Sequence, residues 1–350
     1  IGTAANMIGN ETLPSGATTP EPYELCSLLS KMADAKVEYC VMEVSSHSIV
    51  QKRVCGITFD VAVFTNLTQD HLDYHKTMDN YRKAKFKLFD NAKSAVINID
   101  DETGRQFAEQ VACKKYTYST LYNSADFVAK DIKQKPSGVG FLAVTRGGIG
   151  RVSVSSLGTF TVYNALAAVG AVCALSVDFN DVLPAAASLE CVPGRAQIIS
   201  GSRPYTVMID YAHTPDGLNN ILSTVREIAG GRVITLFGCG GDRDRTKRPL
   251  MGQTAARLSD YVIVTSDNPR TEAPMDIINE ILPGVKKCRT PFTVIENRRD
   301  AIRYAIDMAR SGDIVLLAGK GHEQYQILNT GKIDFDEEKI ALEIMEELDK

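Results

Sequence analysis

The chain has 350 residues, 44% hydrophobic and 23% charged, with a formal net charge of -4. That length sets a prior of two domains with a real core, and the mild negative charge argues against nucleic acid or an anionic membrane as the main partner. Eight cysteines, from Cys26 to Cys288, show no C-x-x-C pair and no histidines at zinc spacing. That is the pattern of reduced thiols in a cytoplasmic protein, with disulfides as the weaker alternative. The longest apolar run, Ala165–Val177, is too short to cross a bilayer and reads as a buried helix. No signal-peptide pattern is present, and the opening Ile1-Gly2-Thr3, without Met, reads as the start of a fragment.

In chain order, strands are expected at Glu38–Val44, Val61–Asn66, Ser94–Ile99, Thr206–Asp210, Val233–Phe237, Tyr261–Thr265, Phe292–Ile295 and Ile314–Ala318. Helical periodicity marks Asp79–Asp90, Phe160–Leu175, Pro215–Ile228, Arg248–Leu258, Met275–Leu282, Arg298–Arg310 and Glu337–Leu348. The alternation is that of an α/β protein with largely parallel sheets flanked by helices. Residues 116–157 differ: short alternating runs between Pro-Ser-Gly and Gly-Gly turns suggest a small antiparallel meander. Arg146–Gly150 is Gly-rich, but no helix follows it, so a hairpin turn is expected rather than a dinucleotide fingerprint. Cys191–Arg195 breaks the pattern and the alternation then restarts, which puts the domain boundary between 192 and 193.

Six apolar strands run into polar or Gly-rich loops: Ser45–His47, Asp70–Asp73, Tyr211–Pro215, Gly238–Arg245, Asp267–Arg270 and Gly319–Glu323. Ligands of open α/β sheets bind at the carboxyl ends of strands, so a cleft lined from two domains is expected. Loops also face water, yet His47, His71 and His213 all sit within a few residues of a strand end. Glu43 and His71 suit a shared Mg²⁺ or Mn²⁺ completed by waters and phosphate oxygens, although each alone is more often structural. Arg243, Arg245, Lys247 and Arg248, interleaved with Asp242 and Asp244, read either as a salt-bridged helix approach or as a grip for carboxylate or phosphate. Arg270 follows a Pro and either recognises a carboxylate or is an exposed turn residue. On its chemistry alone Lys85 is a solvated helix lysine.

Taken together, Met42–His47, Phe64–His75, Asp210–Asp216, Gly238–Asp244, Asp267–Arg270 and Gly319–Glu323 closely resemble the Mur ligases, above all the branch that adds the third residue of the cell-wall peptide. The likeness runs from Ile1 to about Glu338. It implies an incomplete central ATP-binding domain over 1–192 and a Rossmann-like amino-acid domain over 193–350. It implies a cytoplasmic, monomeric ATP-dependent ligase joining meso-diaminopimelate to UDP-N-acetylmuramoyl-L-alanyl-D-glutamate through an acyl phosphate, with Mg²⁺. By position, Thr18, Thr19, Ser45, Gln51 and Arg53 would hold the nucleotide-linked dipeptide. Glu43 and His71 would bind Mg²⁺, joined by Lys85 as a carbamate; these three carry the catalytic role. Asn164, Arg195 and Asp210 would contact ATP, and Arg243, Asp267, Asn268, Arg270, Gly319 and Glu323 the incoming amino acid. The Asp-Asn-Pro-Arg loop marks diaminopimelate over L-lysine, because only the former has a far carboxylate for Arg270 and Arg243 and a far amine for Glu323 to take together.

The sequence departs from the family's pattern in three ways. The Gly-x-x-Gly-Lys-Thr/Ser phosphate loop does not occur, and Lys320 in Gly-Lys-Gly cannot stand in, since no Ser or Thr follows it. The UDP-binding domain has no counterpart. Thr161 stands where the family usually has Asn near adenine. A fragment without ligase turnover on its own is therefore expected. The other readings are an L-lysine-adding homologue, a folylpolyglutamate synthetase, and a non-catalytic binding protein.

Overall fold

The computed structural model describes residues 1–135, 138–187, 191–201 and 203–349. A short hairpin, β1 (Asn6–Ile8) and β2 (Glu11–Leu13), precedes helices α1 (Pro22–Asp34) and α2 (Ser46–Val50). Then follow β3 (Phe59–Phe64), α3 (Leu72–His75), α4 (Met78–Phe86), a 3₁₀ turn at Lys87–Asn91, β4 (Ala92–Asn98), α5 (Glu102–Gln110) and β5 (Lys114–Ser119). Strands β6 (Phe127–Lys135), β7 (Gly138–Thr145) and β8 (Gly148–Val154) lead into α6 (Thr159–Ala174) and α7 (Phe179–Ala187).

These strands form one six-stranded sheet in the order β3-β4-β5-β6-β7-β8. It is parallel as far as β6 and antiparallel beyond. In β4 the consecutive residues Ala95, Val96 and Ile97 are all fully buried, because helices cover both faces of a parallel sheet. On one side Val96 packs with Val162, Leu166 and Val169 of α6; on the other Ala95 and Ile97 meet Phe89 and Phe107.

The second half runs β9 (Gln197–Ile198), β10 (Thr206–Asp210), α8 (Pro215–Ile228), β11 (Val233–Phe237), α9 (Lys247–Leu258), β12 (Tyr261–Val264), α10 (Pro274–Val285), β13 (Phe292–Val294), α11 (Arg298–Asp307) and β14 (Ile314–Ala318). A hairpin, β15 (Tyr325–Leu328) with β16 (Gly331–Asp334), and helix α12 (Glu337–Leu348) close the chain. The sheet order is β13-β12-β11-β14-β10-β9, parallel except for the β9 edge. Helices α8, α9 and α10 cover one face through Ile221, Met251 and Ile278; α11 and α12 cover the other through Ile302 and Ile344. Because β14 returns between β10 and β11, the chain winds both ways from this point, and a crevice opens at the carboxyl ends of these strands.

Two expectations need correction. Glu38–Val44 is extended but is not a strand: among the described residues its backbone pairs with no neighbouring strand, and Ile1 alone meets it main chain to main chain, the terminal amine donating to the Val41 carbonyl at 2.9 Å and the Ile1 carbonyl accepting from the Glu43 amide at 3.0 Å. Asp79–Asp90 is not one helix but α4 followed by the tighter 3₁₀ turn. The expected antiparallel meander is present as β6-β7-β8, and it continues the main sheet because β6 pairs parallel with β5 at Tyr118↔Phe127. Helices α1, α5 and α7 lie where no element was expected. Among the described residues no helix is long and apolar enough to cross a membrane.

Candidate functional site

The expected dipeptide residues come together at the start of α2. Ser45 caps that helix by accepting the Ser48 amide at 3.2 Å. Buried Thr19 bridges two segments: its hydroxyl donates to the Glu43 carbonyl at 2.8 Å and accepts the Ser45 amide at 3.0 Å. Arg53 donates to the Thr19 carbonyl at 2.9 Å and to Gln51 Oε1 at 2.8 Å, and pairs with Glu21 at 2.8 Å. Thr18 joins through Thr3, 3.0 Å between hydroxyls, and Thr3 donates to Glu43 Oε2 at 2.7 Å. All five residues thus belong to one hydrogen-bonded network that also holds Glu43.

Beside it lies a cluster of rings. His47 sits 4.9 Å from His71 edge-on and 4.1 Å from Tyr74, and His75 stacks on Tyr81 at 4.9 Å. Burial lowers the pKa of His47, His71 and His75 below the ordinary histidine value, which favours the neutral imidazoles a metal would need. Lys85 reaches over the Tyr81 ring, 5.3 Å from its centre, and burial likewise lowers its pKa. No hydrogen bond or ion pair holds its amine among the described residues, so it is not the solvated lysine that its local sequence suggests. The structure does not place Glu43 against His71, and no group of three or more His, Cys, Asp or Glu converges among the described residues. A carboxylate, a neutral imidazole and a carbamate would still offer the mainly oxygen donors that Mg²⁺ takes while keeping its waters.

The two halves meet at the His71 loop. Asp70 accepts from Lys247 at 3.3 Å and lies 3.7 Å from His213 and 3.6 Å from His71. Gln69 donates to Thr246 at 2.9 Å. Burial works to raise the Asp70 carboxyl's pKa, but the neighbouring His213 and the charges of Lys247 and His71 outweigh it and hold it well below the usual range. Lys247 is buried, so its local run is not simply a solvated approach to a helix. Arg248 is also fully buried, paired with Glu272 at 2.7 Å and Glu280 at 2.8 Å, and Arg245 pairs with Glu280.

The expected ATP residues are split. Exposed Arg195 lies over the Tyr211 ring at 4.7 Å. Its loop is pressed against the 319–323 loop at Gly194 (φ 71°), where a Cβ would come within 2.2 Å of the His322 amide nitrogen. Asp210 is buried and turned away from solvent, its two oxygens accepting the Ala196 and Ala212 amides at 2.8 Å each. Asn164 is exposed on α6, while Thr161 donates to the Leu157 carbonyl of its own helix start at 2.7 Å.

The amino-acid residues do converge. Gly319, at φ 114°, passes so close to Asp267 that a Cβ would stand 2.8 Å from Asp267 Oδ2. Asn268 Nδ2 donates to Glu323 Oε2 at 2.8 Å. Arg270 donates to the Gly241 carbonyl at 2.8 Å, and Arg243 to the Asp242 carbonyl at 3.0 Å. Neither arginine has a carboxylate partner among the described residues. Burial and then the Arg243 charge lower the pKa of Arg270, against the raising effect of Asp267, Glu323 and Asp242, so two cations stand near one another.

The chain is similar to known proteins along most of its length. Residues 1–172 match the Mur ligase middle domain, and residues 194–321 match the Mur ligase, glutamate ligase domain. Over 350 residues the chain is 46% identical to the UDP-N-acetylmuramoyl-L-alanyl-D-glutamate--2,6-diaminopimelate ligase of Clostridium botulinum, covering 99% of this chain and 72% of that protein. The chain belongs to the Mur ligase family. The ligase of the same description from Clostridium perfringens is 48% identical over 355 residues, covering 99% of this chain and 72% of that protein. A solved structure of such a ligase is 36% identical with a TM-score of 0.64, covering 98% of this chain and 72% of that chain. The Mycobacterium tuberculosis folylpolyglutamate synthase complexed with ADP and AMPPCP has a TM-score of 0.68 at 20% identity, covering 87% and 71%, a likeness of fold alone. The Mur ligases are ATP-dependent amide ligases, which establishes the enzyme class of this chain.

Sequence reasoning missed several residues that this Mur ligase uses to build its cleft. Thr3 and Tyr211 link site residues through side-chain contacts that no spacing reveals. Lys320 sits in a Gly-rich run where its burial is invisible until the fold is known.

Proposed function

We propose that this Mur ligase chain joins meso-diaminopimelate to UDP-N-acetylmuramoyl-L-alanyl-D-glutamate, with ATP as the energy source. The observation that carries this reading is the cluster of Arg243, Arg270 and Glu323. Among the described residues, two arginines without a carboxylate partner stand beside a glutamate whose Oε1 has the Tyr211 hydroxyl as its one polar side-chain neighbour within hydrogen-bond distance, at 3.5 Å. That set suits the far carboxylate and far amine of diaminopimelate, whereas L-lysine offers no far carboxylate. The descriptions of the relatives named above carry UDP-N-acetylmuramoyl-L-alanyl-D-glutamate and 2,6-diaminopimelate.

In this reading the Thr18, Thr19, Ser45, Gln51 and Arg53 network orients the dipeptide so that its D-glutamate carboxylate attacks the ATP γ-phosphate. ADP leaves and an acyl phosphate remains. The amine of diaminopimelate, held by its far end, then attacks the acyl carbon, loses a proton and expels phosphate. Positioning supplies most of the rate. Glu43, His71 and Lys85 as a carbamate would hold Mg²⁺, which when bound neutralises charge on the transferring phosphoryl group. Desolvation suits Lys85 to this role, because only a neutral amine adds CO₂, releasing a proton as the carbamate forms. Arg195 and Asn164 contact the nucleotide, while Asp210 acts by bracing the loops around Arg195 and Ala212. The chain works in the cytoplasm as a monomer; its eight cysteines are all free thiols, which suits a reducing compartment.

The test is calorimetric titration of the chain with meso-diaminopimelate and with L-lysine. Loss of a charged contact is worth about 1.5–3 kcal/mol, so diaminopimelate should bind at least about tenfold tighter, and Arg270→Ala should erase the difference. Equal binding of the two by the wild type would refute the assignment.

A further inference from the structure

Lys320 is fully buried at the start of the 319–323 loop, yet nothing in the reaction described above uses it. Its ammonium donates to Asn268 Oδ1 at 3.2 Å and to Glu323 Oε2 at 3.1 Å. It lies 5.8 Å from the Tyr325 ring centre and 5.9 Å from that of Phe335, two rings that wall it in. A phosphate-binding lysine must reach out to its ligand; this one faces inward, so its neighbours in the amino-acid pocket are what it serves.

Those neighbours form a chain of directed bonds. Asn268 Oδ1 accepts from both Lys320 and the Ile327 amide, the latter at 2.9 Å. With its oxygen facing two donors, the Asn268 side chain has a single orientation, and its Nδ2 must point to Glu323 Oε2, at 2.8 Å. Glu323 Oε2 therefore receives two donors, while among the described residues Oε1 faces only the distant Tyr211 hydroxyl. We propose that Lys320 is a positioning residue that, by holding Oε2 and the amide of Asn268, aims Glu323 Oε1 at the far ammonium of the incoming amino acid. This rests on the diaminopimelate reading of the pocket. Lys320 also balances charge: its ammonium stands among buried Asp267, Glu323 and the guanidinium of Arg298, and it is the strongest influence favouring the ionised form of Asp267 against burial. Without it Asn268 is free to turn its oxygen toward Glu323, and the glutamate is no longer directed.

The experiment compares meso-diaminopimelate with 2-aminopimelate, which lacks only the far amine, by calorimetric titration of the full chain. The wild type prefers diaminopimelate by about tenfold or more, the size of one charge-assisted hydrogen bond. In Lys320→Met that preference collapses to near unity, while the affinity for 2-aminopimelate stays within about twofold. Asn268→Leu cuts the other bond to Glu323 Oε2 and gives the same collapse, so it serves if the methionine variant does not fold. A wild type that binds both ligands equally removes the assignment of the pocket and with it this role. A wild-type preference that survives in these variants overturns the role of Lys320 alone. Equal weakening of both ligands does the same, since it marks a general loss of structure.

Discussion

Lys247 donates to Asp70 at 3.3 Å and so ties the second sheet to the loop that carries His71. Both groups are largely withdrawn from water, and His213 shares the same carboxylate at 3.7 Å. Removing one partner leaves a charge without its counterpart in a poorly solvated site.

Lys247→Met should therefore lower unfolding free energy by about 1–3 kcal/mol. Its signature is loosened coupling of the two halves: denaturant unfolding followed by separate probes in each sheet should split into two transitions where the parent shows one. Coincident transitions in the variant would show that the contact does not couple them.

Arg298 and Glu337 form a pair with both side chains fully buried, 2.8 Å apart, and Arg298 also donates to the Ala318 carbonyl at 2.9 Å. Arg298→Met alone should cost about 3–5 kcal/mol, because Glu337 is left charged in the core. Adding Glu337→Leu should recover most of that loss. Urea melts of both variants measure it, and an unrecovered double variant would mean that the carbonyl contact, not the charge, dominates.

The Arg248 guanidinium, by hydrogen bonding, lowers the Glu272 carboxyl from 4.5 to about 2, against the opposing effect of burial. A carboxyl depressed in the folded state adds stability that is fully present above its unfolded value and is lost as pH falls through the folded one. Stability should therefore decline between pH 4.5 and about 2, and Glu272→Gln should flatten that part of the profile while lowering stability at pH 7. Chemical denaturation across that range reads both effects.

Gly319 combines φ 114° with a Cβ position 2.8 Å from Asp267 Oδ2. Gly319→Ala should cost about 1–3 kcal/mol in backbone strain and displace Asp267. Diaminopimelate affinity should fall with it, whereas Gly9→Ala, also at positive φ but with open space around it, should leave affinity unchanged.

Lys85 carries a lowered pKa from burial and no polar partner among the described residues. Incubated with ¹³C-bicarbonate, the chain should show a carbamate carbon signal by NMR that Lys85→Arg abolishes. A signal that persists in the arginine variant would assign the modification elsewhere.

Much of the fold was legible because burial on both sides of a parallel sheet leaves apolar runs between turn signals, as in Val233–Phe237 and Ile314–Ala318. Helix α1 was missed although Leu25, Leu28 and Met32 fall on one buried face, since its polar residues mask a weak stripe. The Glu38–Val44 expectation failed for a different reason: local propensity marks an extended segment, but a strand exists only where a neighbour supplies its hydrogen bonds.

The sequence by itself determined most of the strands and helices of the second half, the strand-end loops and the family motifs, because periodicity, turn chemistry and residue type are local properties. Only the tertiary structure decided which polar groups answer one another. It turned Asp210 inward onto two backbone amides, joined Asp70 to Lys247 across the halves, withdrew Lys85 from water and set Lys320 beneath Asn268 and Glu323. Those relations depend on burial and on contacts between residues far apart in the chain, where the low dielectric makes each charge depend on its partner.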